Sequence, residues 1–200
     1  MNKNLKKMIS YYKPYRNVFA ADMFFAVTAS AIALALPLIV RYITSVVIFM
    51  EKEEAFYRTI LLGALMAALV AVSCYCNYFI SNYGHVMGAK IEFDMRAEIF
   101  EHYQKLSFAF YDNQKVGALM SRITTDLFDI TELMHHGPEN IVISAIKILG
   151  AFVIMVSISP ILTFFAFILV PVMFAYAYFF NGRMKRAFRR NREKIAEINS

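Results

Sequence analysis

The sequence predicts an all-α membrane protein with four long transmembrane helices that continue as helical extensions on the cytoplasmic side. Three observations lead there. The composition is 59% hydrophobic and only 18% charged, with a mean hydropathy of +0.49, whereas a soluble domain carries roughly a quarter charged residues. Four apolar runs reach spanning length. Between the second and third lies a long stretch whose charges and apolar residues alternate at helical spacing.

The hydrocarbon core is about 30 Å thick and a helix rises about 1.5 Å per residue, so a span needs about 20 apolar residues. The first run is "MFFAVTASAIALALPLIV", residues 23–40, where Pro37 predicts a kink. It follows the basic start "MNKNLKKMISYYKPYR" and is too long for the h-region of a cleavable signal. Asp22, just ahead of it, is expected at the membrane interface beside Lys13 or Arg16. The second run, residues 60–80, is rich in small residues that let helices approach closely; Cys74 and Cys76 within it are expected to be small buried residues. The third, residues 141–159, is interrupted by Lys147. The fourth, residues 161–180, follows Pro160 so closely that it must form a tight antiparallel pair with the third. With their helical continuations the four segments occupy about 18–50, 58–106, 118–159 and 161–200.

Lys and Arg set the orientation. Five lie in the first sixteen residues and seven in 183–194, while the 41–58 connection has three, offset by Glu51, Glu53 and Glu54. Both ends of the chain are therefore expected on the cytoplasmic side of a multi-pass cell-membrane protein, and residues 81–140 with them. The net charge of +6 is explained by anionic lipid headgroups rather than nucleic acid, because the basic residues gather beside apolar runs.

Within the cytoplasmic stretch an apolar stripe recurs at Met87, Ile91, Met95, Ile99, Tyr103 and Leu106, with no proline to interrupt it. The second helix thus continues for about 40 Å beyond the membrane, from 26 residues at about 1.5 Å each. Leu119, Ile123, Leu127, Ile130 and Met134 repeat the spacing and supply the partner face. Between the arms lies "DNQKVG", residues 112–117. Asp112 is expected to cap a helix N-terminus and Gly117 to permit a sharp change of direction, giving a short helix across the end of the hairpin.

"FYDNQKVGALMSRITTD", residues 110–126, resembles the first intracellular loop of ATP-binding-cassette exporters: an aromatic pair, Asp112, polar residues, Gly117, a hydrophobic pair containing Leu119, then Ser121, Arg122, a threonine and Asp126. Arg96 also falls where the family usually has an arginine. The resemblance implies an exporter-type transmembrane domain, usually of six spans, of which these residues cover the first four, the chain ending within a continuation of the fourth helix. It implies that Asp112, Asn113, Gln114, Lys115, Val116 and Gly117 form a coupling helix docking on a nucleotide-binding domain, fused downstream or separate, supported by Arg96, Ser121, Arg122 and Asp126. It implies a second transmembrane subunit, identical or different, and a lipid bilayer as partners. Nothing matches G-x-x-x-x-G-K-[ST]. ATP and Mg2+ are thus expected in the nucleotide-binding domain, with no cofactor and no catalytic residue in these 200 residues, which would move lipid, drug or peptide cargo without being an enzyme by themselves.

Other features keep two readings. Lys147 either lines the translocation path or snorkels to the interface. Arg122 and Asp126, four residues apart, suit a local ion pair. The aromatic residues of the fourth run face lipid and neighbouring helices or contact amphipathic cargo. His85, His135 and His136 suggest metal, but adjacent histidines diverge by about 100° on a helix and no carboxylate–histidine set is visible, so no metal is expected. The rival function is a multi-span sensor or assembly module that uses the hairpin for docking; a secondary transporter would need intramembrane carboxylates that these spans lack.

Overall fold

The computed structural model describes residues 3–112 and 114–198; Asn113 lies outside the described residues. Helix is the only regular structure among them. The chain divides into two units, Met1–Leu149 and Gly150–Ser200. Four helical segments are long and apolar enough to cross a membrane: Leu5–Phe49, Lys52–Gln104, Val116–Ile158 and Pro160–Asn191.

The first unit begins with α1 (Lys3–Ser10), a 3-10 turn, and α2 (Arg16–Ser45), which runs through Pro37 without ending. After a second 3-10 turn come α3 (Lys52–Phe79), a π-helical turn at Ile80–Gly84 and α4 (His85–Gln104). Then follow α5 (Phe108–Asp112), α6 (Val116–Ser121), a second π-helical turn at Arg122–Asp126 and α7 (Leu127–Ile158), which continues through Pro138. Small residues hold α2 against α3: Ala26, Ser30 and Cys76 are each at most 1% exposed, and the rings of Phe25 and Phe79 stand 4.3 Å apart. Cys74, expected to be buried with Cys76, is exposed; two residues along a helix turn by about 200°, so only one of the pair faces the neighbour.

The arms pack as the stripes predict. Met87, Ile91, Met95, Leu127 and Met134 form one buried cluster. Removing such a side chain from water contributes about 1.5–3 kcal/mol. Ile130 departs from the expectation: it is exposed, and Thr131 is buried in its place. The π-helical turn has more residues per turn than an α-helix, so the buried positions 119, 123, 127 and 131 keep a spacing of four. The sequence also gave no sign of the N-terminal segment's part in this core. Met8, Tyr11, Tyr12, Tyr15 and Phe19 pack on the cluster. Tyr12 Oη donates to the Met134 carbonyl, Tyr15 Oη to Asp94 at 2.9 Å, and Lys7 and Tyr11 both donate to Glu98. The basic N-terminus is therefore a brace across both arms.

The second unit contains the end of α7, α8 (Pro160–Phe167) and α9 (Leu169–Ile198). Ser159 is the N-cap of α8, its Oγ accepting from the Leu162 amide at 3.4 Å, and Pro160 takes the first helical position, where no amide is needed. An edge contact between Phe152 and Phe167, ring centroids 5.0 Å apart, folds α8 back along the end of α7. The fourth apolar run is not one helix: it breaks at Ile168, three residues before Pro171, which has no amide to offer the Phe167 carbonyl and sits harmlessly in the first turn of α9.

Candidate functional site

The far end of the arms carries the residues singled out by sequence. The chain leaves α4 at Lys105, and α5 is a five-residue helix separated from both arms by breaks. Tyr111 Oη donates to the Tyr103 carbonyl, tying α5 to the end of α4. The Gln114 amide donates to the Tyr111 carbonyl at 3.1 Å, closing a turn. Asp112 ends α5 and is not a helix N-cap. Lys115 holds that position for α6, with extended backbone (φ −75°, ψ 112°) and its own carbonyl accepting from the Ala118 amide at 2.9 Å. Gly117 lies inside α6 with nothing within 4 Å of where a Cβ would stand and no left-handed φ. The change of direction is therefore made just before Val116 by extended backbone, which any residue adopts. The tip turns apolar groups outward: Phe108 is 91% and Val116 61% exposed.

Of the supporting residues, Arg96 makes a contact across to this tip. Leu119 and Ile123 are buried against the arms. Arg96 ion-pairs with Glu92 on its own helix, and its Nε donates to the Ile123 carbonyl at 3.3 Å. That carbonyl lies inside the π-helical turn, where the regular i to i−4 ladder is disturbed. Ser121 ends α6, and Arg122 and Asp126 are the exposed first and last residues of the π-helical turn. A cleft of about 510 Å³ lies beside the Arg96 contact, lined in part by Phe93, Phe100, Met120 and Ile123. Lys147 is exposed on α7 and makes no hydrogen bond or ion pair among the described residues.

The pattern of residues 19–200 matches that of the ABC transporter transmembrane region. The chain belongs to this family. It is 38% identical over 196 residues to the uncharacterized ABC transporter ATP-binding protein YwjA of Bacillus subtilis, covering 98% of this chain and 34% of that protein. Putative multidrug export ATP-binding/permease proteins of Bacillus subtilis and Staphylococcus aureus are each 26% identical over 198 residues, again covering 97% of this chain and 34% of theirs. The chain thus spans about a third of the length of these relatives.

This ABC transporter transmembrane region also has a second constellation that sequence reasoning missed. Asp22, expected at an interface beside Lys13 or Arg16, is 1% exposed. It meets His135, 4% exposed, and Glu139, 8% exposed, where α2, the Gly84 turn and α7 converge. One ligand atom from each lies within 4.8 Å of the others, and His85, His135 and His136 form a second such set. The premise that no carboxylate–histidine set assembles does not hold. Asp22 lies more than 100 residues from His135 and Glu139, which stand at i and i+4 on α7, so local spacing announces only that pair and not the buried carboxylate that joins it.

Proposed function

We propose that this chain is the membrane-embedded part of an ATP-driven exporter, and that residues 108–121 receive force from a nucleotide-binding domain. Membership of the ABC transporter transmembrane family supports the reading most strongly, as do relatives described as ATP-binding/permease proteins. The shape of the tip supports this role. Two packed arms end in a turn that presents Phe108 and Val116 to an outside surface, and α4 alone, 20 residues long, extends about 30 Å. Closure of two nucleotide domains around ATP and Mg2+ would move paired tips and, through stiff arms, the spans of two subunits. In this reading both ends of the chain are cytoplasmic, the basic run of α9 lies against anionic lipid, Lys147 faces the translocation path, and the cargo is lipid, drug or peptide.

Cysteine crosslinking tests it. In membranes holding the full-length transporter, with native cysteines replaced, Lys115→Cys should crosslink to a cysteine on the nucleotide-binding domain surface, with a yield that changes when ATP is trapped. Absence of any crosslink in protein that still binds ATP would remove the proposed contact.

A further inference from the structure

We propose that Asp22, His135 and Glu139 form a binding site for a first-row transition-metal dication, of the kind Zn2+ and Co2+ represent, with His85 and His136 as further donors. The inference is independent of the transport reading. Both Asp22 carboxylate oxygens, His135 Nδ1 and Glu139 Oε2 are buried with no hydrogen-bond partner among the described residues. Buried polar atoms almost always have a partner, and a buried carboxylate that is not neutralised by a proton is stable only when paired or coordinated. His136 Nδ1 stands 3.7 Å from Glu139 Oε2, too far for a hydrogen bond. No lysine or arginine reaches the cluster: the nearest chemistry is imidazole and carboxylate throughout.

The donor set selects the ion. Two carboxylates and a neutral imidazole around a dication sum to zero charge, which is what burial demands. Imidazole nitrogen favours zinc, cobalt and their neighbours over calcium or magnesium, which prefer all-oxygen shells. Bonds of about 2.0–2.2 Å place ligands of a tetrahedral ion about 3.3–3.6 Å apart. The present separations, within 4.8 Å, exceed this by at most about 1.5 Å. Gly84 makes the room: a Cβ there would stand 2.5 Å from His135 Cε1 and 3.0 Å from Asp22 Oδ1. A way in exists as well, since a cavity of about 250 Å³ lined by His85, Glu92, Glu132 and His135 opens beside the cluster.

The test uses the full-length protein, extracted in detergent, freed of its affinity tag and stripped with chelator. Co2+ is titrated in, followed by visible d–d absorption and by equilibrium dialysis. The expected result is saturable binding of one Co2+ per chain, displaced by Zn2+, with an X-ray absorption shell containing imidazole nitrogen. Asp22→Asn and His135→Gln should each weaken binding at least tenfold, since loss of even an outer-shell partner costs that much. His102→Gln, on an exposed histidine away from the cluster, should change nothing. No saturable binding by the unaltered protein, or a shell of oxygen alone, overturns the proposal whether or not the variants fold. So does binding abolished by His85→Gln yet untouched by Asp22→Asn and Glu139→Gln, which would assign it to the outer histidines. Transport and ATPase activity are not read in any arm, so the site stands or falls apart from the exporter reading.

Discussion

At the root of the α4 and α7 arms, Asp22, His135 and Glu139 are buried; at the far end, Phe108 and Val116 are exposed. The two ends invert the ordinary distribution of polar and apolar groups in opposite senses. Unpartnered buried polar groups cost about 1–3 kcal/mol each, and exposed apolar side chains forgo the gain of burial. Between them lies an ordinary core of Met87, Ile91, Met95, Leu127 and Met134, which satisfies itself. The contrast separates two needs: the root suits an ion, and the tip suits another protein surface, as do Phe93, Phe100, Phe128 and Leu133, which stay exposed along the same arms outside their shared core.

The comparison breaks most severely in the middle. Leu127→Ala should cost about 2–5 kcal/mol by the cavity it leaves, measured by denaturant unfolding in detergent; a loss under about 1 kcal/mol would mean the arms do not share a core. At the root, Gly84→Ala forces a methyl against His135 and should cost about 1–3 kcal/mol, whereas Gly63→Ala, with nothing within 4 Å of the new methyl, should be neutral or stabilising by up to about 1 kcal/mol. Equal effects at both glycines would refute a crowded root. Tyr12→Phe removes the donation to Met134 and should cost about 1 kcal/mol; an unchanged unfolding midpoint would show that the N-terminal brace does not hold the arms. At the tip, Val116→Asp should leave stability within about 0.5 kcal/mol while uncoupling ATP hydrolysis from cargo, read as ATPase activity that cargo no longer stimulates. Unfolding by this variant would place Val116 in the core instead.

The arms were legible because four-residue spacing needs only local sequence: Met87, Ile91, Met95, Leu119, Ile123 and Leu127 all fall inside. One π-helical turn was enough to displace Ile130 by Thr131, since that surplus residue is fixed by tertiary packing rather than by propensity. The tip was found through its motif, yet Asp112 and Gly117 do other jobs than their residue types suggested, because extended backbone around Lys115 turns the chain without a cap or a left-handed glycine. The brace by Tyr11, Tyr12 and Tyr15 was hidden behind the positive charge of its own segment. The cluster of Asp22, His135 and Glu139 was legible only in part: His135 and Glu139 share a face of α7 at i and i+4, but only the fold brings Asp22 from α2 to them.

The π-helical turn at Ile80–Gly84 separates two seams of one continuous helical segment, that of α3 with α2 and that of α4 with the second arm. A helix advances about 100° per residue, so the residue that this turn accommodates sets the angle between the seam of α3 and the seam of α4. Shortening the chain there by a single residue would rotate Met87, Ile91 and Met95 off their partners while leaving Ala26 against Cys76 untouched. The joint thus lets the two halves of one continuous rod keep separate azimuths.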